Sequence, residues 1–389
     1  MATVRWTGRA QAISQVETIT IGGTIAVGDT FSVTINKKTV TYTAAAATIA
    51  DVTAGLVKAM SDKSAPAEFR EITWSDQSPD VVGTGPAGVP FTCTVSKNSA
   101  AGTISRTTTT AATGPNHWDN ADNWDSGSVP AALDDVYIDG TSTSILYGLN
   151  QSGVGLSSLT IGANFTGTVG LPKDNPAGYV EYRDQYLQIG ASTVKIGTGE
   201  GSGSGRIKID LGSTAASVSV WKAGAALDSG LPAVIILGSN LSTFEVVDGS
   251  AGLAVFGGDT GTATTVLVGA NGSMHLGEGA SVQTVTTSGQ ATIECNVTTL
   301  TVDDGTCTVR GDATVAALIV NGGTCQYESS GTINSMTVSG SVDFSGDMSP
   351  RTVTDTTLKR GGRILDPYRS VTFTNGIQLD GSVNDVTAA

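Results

Sequence analysis

The apolar positions between residues 267 and 344 recur in a fixed order: a short apolar strand, a turn centred on glycine, then a second short strand. The segments are 267–276, 284–293, 300–309, 318–327 and 336–344. Their turn glycines are Gly272, Gly289, Gly305, Gly323 and Gly340, at intervals of 17, 16, 18 and 17 residues. A period this short, held over several copies, predicts a solenoid in which each turn of chain stacks on the last. Two places after each glycine stand Met274, Ala291, Cys307, Cys325 and Val342, which should form one inward column. The preceding strands supply a second, Val268, Val285, Val302, Val320 and Val338, with a one-residue slip allowed. β-Branched columns suit parallel strands buried between neighbours. The expected fold is mainly β: a small N-terminal α+β domain followed by a long single-stranded parallel β-helix. A β-sandwich of regular hairpins is the alternative.

Before this region the pattern does not repeat. Residues 16–21 read as a strand and 28–44 as a hairpin turning at Asn36, Lys37 and Lys38. Thr48 to Asp51 opens a helix whose apolar stripe is Ile49, Val52, Leu56, Ala59 and Met60. Strands are expected at 69–74, 89–95 and 103–108. The organisation expected is an α+β docking domain at 1–112, a Trp- and Asp-rich junction capping the coil at 113–140, the β-helix at 141–346, and a C-terminal cap or contact segment at 347–389.

Composition changes the picture in a few places. The formal net charge is −14, so an acidic surface argues against nucleic acid. No apolar run approaches membrane-spanning length, and the first residues lack the apolar core of a signal peptide. Cys93, Cys295, Cys307 and Cys325 form no C-x-x-C pair. Cys307 and Cys325 fall in adjacent turns of one column, close enough to consider a disulfide, though free thiols packed in a reducing cytoplasm are favoured.

The junction holds His117, Trp118 and Trp124 among many acids. A first coil has no neighbour and must be covered, and two indoles offer large apolar faces for that. Asp119, Asn120, Asp122, Asn123 and Asp125 could offer oxygen to calcium, but their spacing misses the EF-hand pattern, so turn-capping is favoured. Further on, Tyr179, Tyr182 and Tyr186 concentrate in a segment at 171–186 that leaves the column; contact and flank packing are both open. Arg360, Arg363 and Arg369, with Lys359, gather positive charge near the end of an acidic chain. They suit an acidic neighbour or a solvated last turn.

The run from Gly28 to Met60, with residues 68–74 and 87–96, resembles a small module of structural proteins from tailed bacteriophages. The W…NW…VP…DDV phrase of the junction is similar to those opening β-helical regions of phage-like and autotransporter-like proteins. The resemblance implies a virion component, assembled in the host cytoplasm. A decoration or cement protein on the head exterior is the expectation, with the major capsid protein as partner, as a homo-oligomer such as a trimer. The alternative is a tail fibre or tailspike binding a host surface glycan; a secreted adhesin is disfavoured by the missing signal peptide.

Catalysis is not expected. Asp259, Glu278, Glu294, Asp303 and Asp304 are the carboxylates that could pair across a groove. Residues 260–343 carry a single aromatic side chain, Tyr327, to stack a sugar. The Gly/Ser run at 201–205 lacks the strand–turn–helix setting of a nucleophile elbow. No cofactor and no metal are expected.

Overall fold

The computed structural model describes residues 2–175 and 177–380. The protein is mainly β and is dominated by one long sheet of about twenty strands. Its pairings are parallel, and through the repeats each strand bonds the strand two further along. One ladder runs through Ala280–Thr287, Val297–Val302, Val315–Val320, Ile333–Val338 and Arg351–Lys359. A second runs through Gln290–Ile293, Thr306–Val309, Thr324–Tyr327, Ser341–Asp343 and Arg363–Leu365. The two alternate along the chain, as the glycine period requires.

The column after the turns stands in direct register: Met274, Ala291, Cys307, Cys325, Val342. The valine column differs at one place. Thr287, not Val285, lies between Val268 and Val302, while Val285 pairs with Val266 and Leu300 in the next column. The displacement is two residues, which keeps the inward face; a slip of one would have turned it outward. Thr287 is fully buried, and its hydroxyl has no partner among the described residues. Each buried Val or Leu of such a stack contributes roughly 1.5–3 kcal/mol.

The turns need glycine for space as well as for conformation. Gly305 and Gly323 have φ of 70° and 59°. A Cβ at Gly305 would collide with the Gly289 carbonyl oxygen, and one at Gly323 with that of Gly305.

The smaller unit has its own core. Ser14–Gly23 lies inside a four-stranded antiparallel sheet with Thr73–Gln77, Asp80–Ala87 and Gly102–Thr110. Lys38–Thr43, Thr30–Ile35 and Cys93–Asn98 form a second sheet. The helix Ile49–Met60 buries Val52, Leu56 and Met60, and the Thr48 hydroxyl accepts the Asp51 N–H at 3.2 Å. The sequence at 69–74 reads as one strand; instead Ala67–Arg70 is a helical turn after Pro66, and the strand begins at Thr73. Proline fixes the backbone entering that turn.

The chain crosses the boundary at 112 in an unexpected way. Thr3–Arg5 is hydrogen-bonded in parallel to Asp135–Ile138 of the long sheet, and Val4 and Trp6 belong to its core. The small unit is looped out between Ile13 and Thr113, which bridge each other. At the other end the ladder continues beyond residue 346, through Arg351–Lys359 to Ile377–Asp380. Part of the expected C-terminal segment, residues 381–389, lies outside the described residues.

Candidate functional site

Three places gather the residues that the sequence marks out, and they differ in exposure. At the start of the long sheet, Trp118 and Trp124 meet edge to face with ring centroids 4.7 Å apart. Trp6 completes the group at 5.1 Å from Trp124. Sequence reasoning missed Trp6; the apolar pair Val4 and Trp6, two apart near the N-terminus, was the available signal. All three indoles are buried. Trp124 donates to the Trp118 carbonyl at 2.8 Å and Trp6 to Thr143 at 3.0 Å, whereas the Trp118 N–H finds no acceptor among the described residues. The tryptophans are therefore a lid, not a contact surface.

The polar residues around the lid hold backbone. Asn123, fully buried, accepts from Ala10 N–H at 2.9 Å and donates to Gly114 and His117 carbonyls at 2.8 Å. Asp125 accepts the Arg5 N–H at 2.8 Å, and its own N–H reaches the Arg5 carbonyl at 3.0 Å. That pair of bonds occupies the outer edge of the first strand. Asn120 accepts the Asp122 N–H at 2.9 Å. Asp119 faces the His117 ring at 3.6 Å, and hydrogen bonding from His117 lowers its carboxyl pKa. Among the described residues no group of three or more His, Cys, Asp or Glu side chains is placed to hold a metal ion.

The tyrosine segment ties the two bodies together. Tyr179 donates to Glu71 of the small unit at 3.0 Å. Arg183 donates to the Pro90 carbonyl at 3.2 Å, forms a two-bond pair with Glu181 and lies 5.2 Å from the ring centres of Tyr147 and Tyr182. Burial works to raise the Glu181 pKa, but the Arg183 pair outweighs it and the net shift is downward. His117 adds a further tie to Gly88 at 2.9 Å. Tyr186 turns the other way, to Asp259 at 2.8 Å; burial and that carboxylate push its phenol up. Beside it sits a residue the sequence did not announce. Lys208 is fully buried, with Nζ 3.0 Å from the Leu171 carbonyl, 3.2 Å from Gln185 and 3.4 Å from Asp228. Burial lowers its pKa against the pull of Asp228.

The third place is the last layer of the sheet. Four inward columns end there in Ile364, Phe373, Ile377 and Leu379. Ile364 and Phe373 are half-buried, while Ile377 and Leu379 are 42% and 49% exposed. Tyr368, in the segment between Arg363–Leu365 and Val371–Phe373, is exposed as well. Arg360, Arg363 and Arg369 are all exposed, and none pairs with a carboxylate among the described residues. Residues 351–380 carry five basic and three acidic side chains, a balance of +2 within a chain of −14.

Four of the five carboxylates weighed for catalysis are bound into local structure, and the fifth, Glu278, is exposed. Asp303 accepts from Asn321 at 2.8 Å, Asp304 from the Gly305 N–H at 2.8 Å and Asp259 from Tyr186, while Glu294 faces His275 at 3.2 Å. The four cysteines are free and buried; Cys307 and Cys325 are register neighbours, and that contact with burial pushes the Cys307 thiol up. No protein-family description, curated protein or solved structure matches the chain.

Proposed function

We propose that this protein is a structural virion component of a tailed phage, a decoration or cement protein on the head exterior, built on a parallel β-helix. The alternating ladders and in-register columns support the coiled architecture. The resemblance of residues 28–96 and of the junction supports the virion setting. The single observation that carries an adhesive role is the unlike treatment of the two ends. The first coil is closed by three indoles and Asp125. The last described layer and the turns next to it in sequence present exposed Ile377, Leu379 and Tyr368 together with exposed Arg360, Arg363 and Arg369.

The occupant of that end is an acidic protein surface of the particle, contributed by the major capsid protein. Charge complementarity selects it: arginines in an otherwise acidic chain draw in a negative partner and repel a second copy of the same end. Attachment then strengthens the shell, because a ligand bound only to the intact lattice stabilises it by mass action. The protein works as a homo-oligomer, a trimer suiting closed symmetry.

Immunogold labelling of particles from the producing strain tests the placement, with solution mass testing the oligomer. Labelling over the heads is expected. Labelling confined to tail tips, or none on particles, contradicts the proposal.

A further inference from the structure

A second surface lies where the tyrosine segment meets the small unit. A cleft of about 570 Å³ is lined by Asn36, Lys37, Lys38, Glu68, Tyr179 and Tyr182 among others. That volume lies within the range of small-molecule sites, which favour the seams between domains. Its walls are a hairpin turn, the helical turn after Pro66 and the tyrosine segment.

Glu68 makes the cleft more than a gap between packed bodies. It is 6% exposed, and among the described residues its carboxylate forms no hydrogen bond and no ion pair. Its oxygens are not sealed from water and lie on the wall of the cleft. A ligand seated there would replace water as their donor. Opposite lie two rings, Tyr179 and Tyr182, with centroids 6.1 Å apart and planes inclined by 31°. The Tyr179 hydroxyl is already spent on Glu71, which fixes that ring. Lys37 and Lys38 are exposed at the mouth, with no carboxylate within pairing distance among the described residues. Asn36 is held in a left-handed turn at φ 58°, its side-chain oxygen accepting the Thr92 N–H at 3.1 Å.

A ligand suited to these walls offers donors to Glu68, an apolar face to two phenol rings and negative charge to two lysines. A saccharide unit has both a face of C–H groups and a ring of hydroxyls, each able to donate. The lysines add the requirement for an acid group. A peptide laid on as an extra strand fits less well, because of the edge strand Lys38–Thr43 only Lys38 lines the cleft, whose other walls are a turn, a helical turn and the tyrosine segment. We infer that this cleft binds an acidic saccharide, carboxylated or phosphorylated, with Glu68 accepting hydroxyls and Lys37 and Lys38 taking the anion. This site is independent of the arginine-bearing end and of the particle to which that end attaches.

Calorimetry on the full chain tests it, with trigalacturonate, glucose 6-phosphate and maltotriose as probes. Saturable binding of trigalacturonate or of glucose 6-phosphate is expected, at least tenfold tighter than maltotriose; which of the two binds distinguishes carboxylate from phosphate. Lys37→Glu/Lys38→Glu, both at exposed positions, should weaken that binding tenfold or more without moving the melting temperature. Glu68→Gln should weaken it while leaving its salt dependence in place, since the lysines supply that dependence. Binding of none of the three probes, equal binding of maltotriose and the acids, or acid binding unchanged in the double lysine variant would each overturn the assignment.

Discussion

The two ends of the long sheet face one physical problem and solve it differently. A stack of parallel strands exposes apolar columns and unpaired backbone wherever it stops. At the beginning the chain uses Trp6, Trp118 and Trp124 to cover the columns, and Asp125 to occupy the first strand's edge. At the far end of the described residues the columns finish in half-buried and exposed apolar residues, in a stretch, 351–380, whose charge balance is positive. On the proposed reading, the covered end serves stability through the tryptophans and the other end serves association through the arginines.

The comparison breaks most visibly at the lid. Trp118→Ala should cost roughly 3–5 kcal/mol, read from the denaturant midpoint, because the indole is fully buried. The reverse signature is expected at the far end. Arg360→Glu/Arg363→Glu/Arg369→Glu should leave stability within about 0.5 kcal/mol yet slow attachment to particles on the order of tenfold, with a weaker salt dependence. Attachment rates measured across a salt series distinguish the two ends.

Smaller changes sharpen the same contrast. Asp125→Ala removes the side-chain bond to the first strand's edge, keeping the backbone one, and should cost about 1 kcal/mol with faster amide exchange at Arg5. Between the ends, Thr287→Val replaces an unpartnered buried hydroxyl with a methyl in a valine column and should stabilise by about 1 kcal/mol in denaturant titration. The smallest effect is acid-dependent. Asp119 has a lowered carboxyl pKa in the folded chain, so its contribution is present above the ordinary carboxylate value and lost as pH falls through the folded value. Asp119→Asn should lower stability slightly at neutral pH and flatten its fall in that acidic window, where the wild-type contribution is lost anyway.

How much of this was legible depended on whether the signal was periodic. The glycine interval and the residues two places after it announced a column that stands in register from Met274 to Val342. Val285 was misplaced because Val285 and Thr287 both point inward, and the valine outweighed the threonine in any apolar pattern. The helix Ile49–Met60 was readable from its stripe and its Thr48 cap. Trp6, Lys208 and Glu68 were not readable, because their surroundings come from residues distant in sequence. Val4 joins the long sheet only through a strand more than a hundred residues later, and Lys208 is surrounded by Leu171, Gln185 and Asp228. Tyr179 and Tyr182 stood out by composition in an aromatic-poor chain, but their opposite wall, the turn at Lys37 and Lys38, lies in the other unit.

Photo-crosslinking in assembled particles tests the contrast of the ends most directly. A benzophenone amino acid is placed either at Leu379, in the open layer, or at Asp122, on the lid. Crosslinks from position 379 to a second protein chain, and none from position 122, are the predicted result. Crosslinks from the lid with none from the last layer would contradict the account.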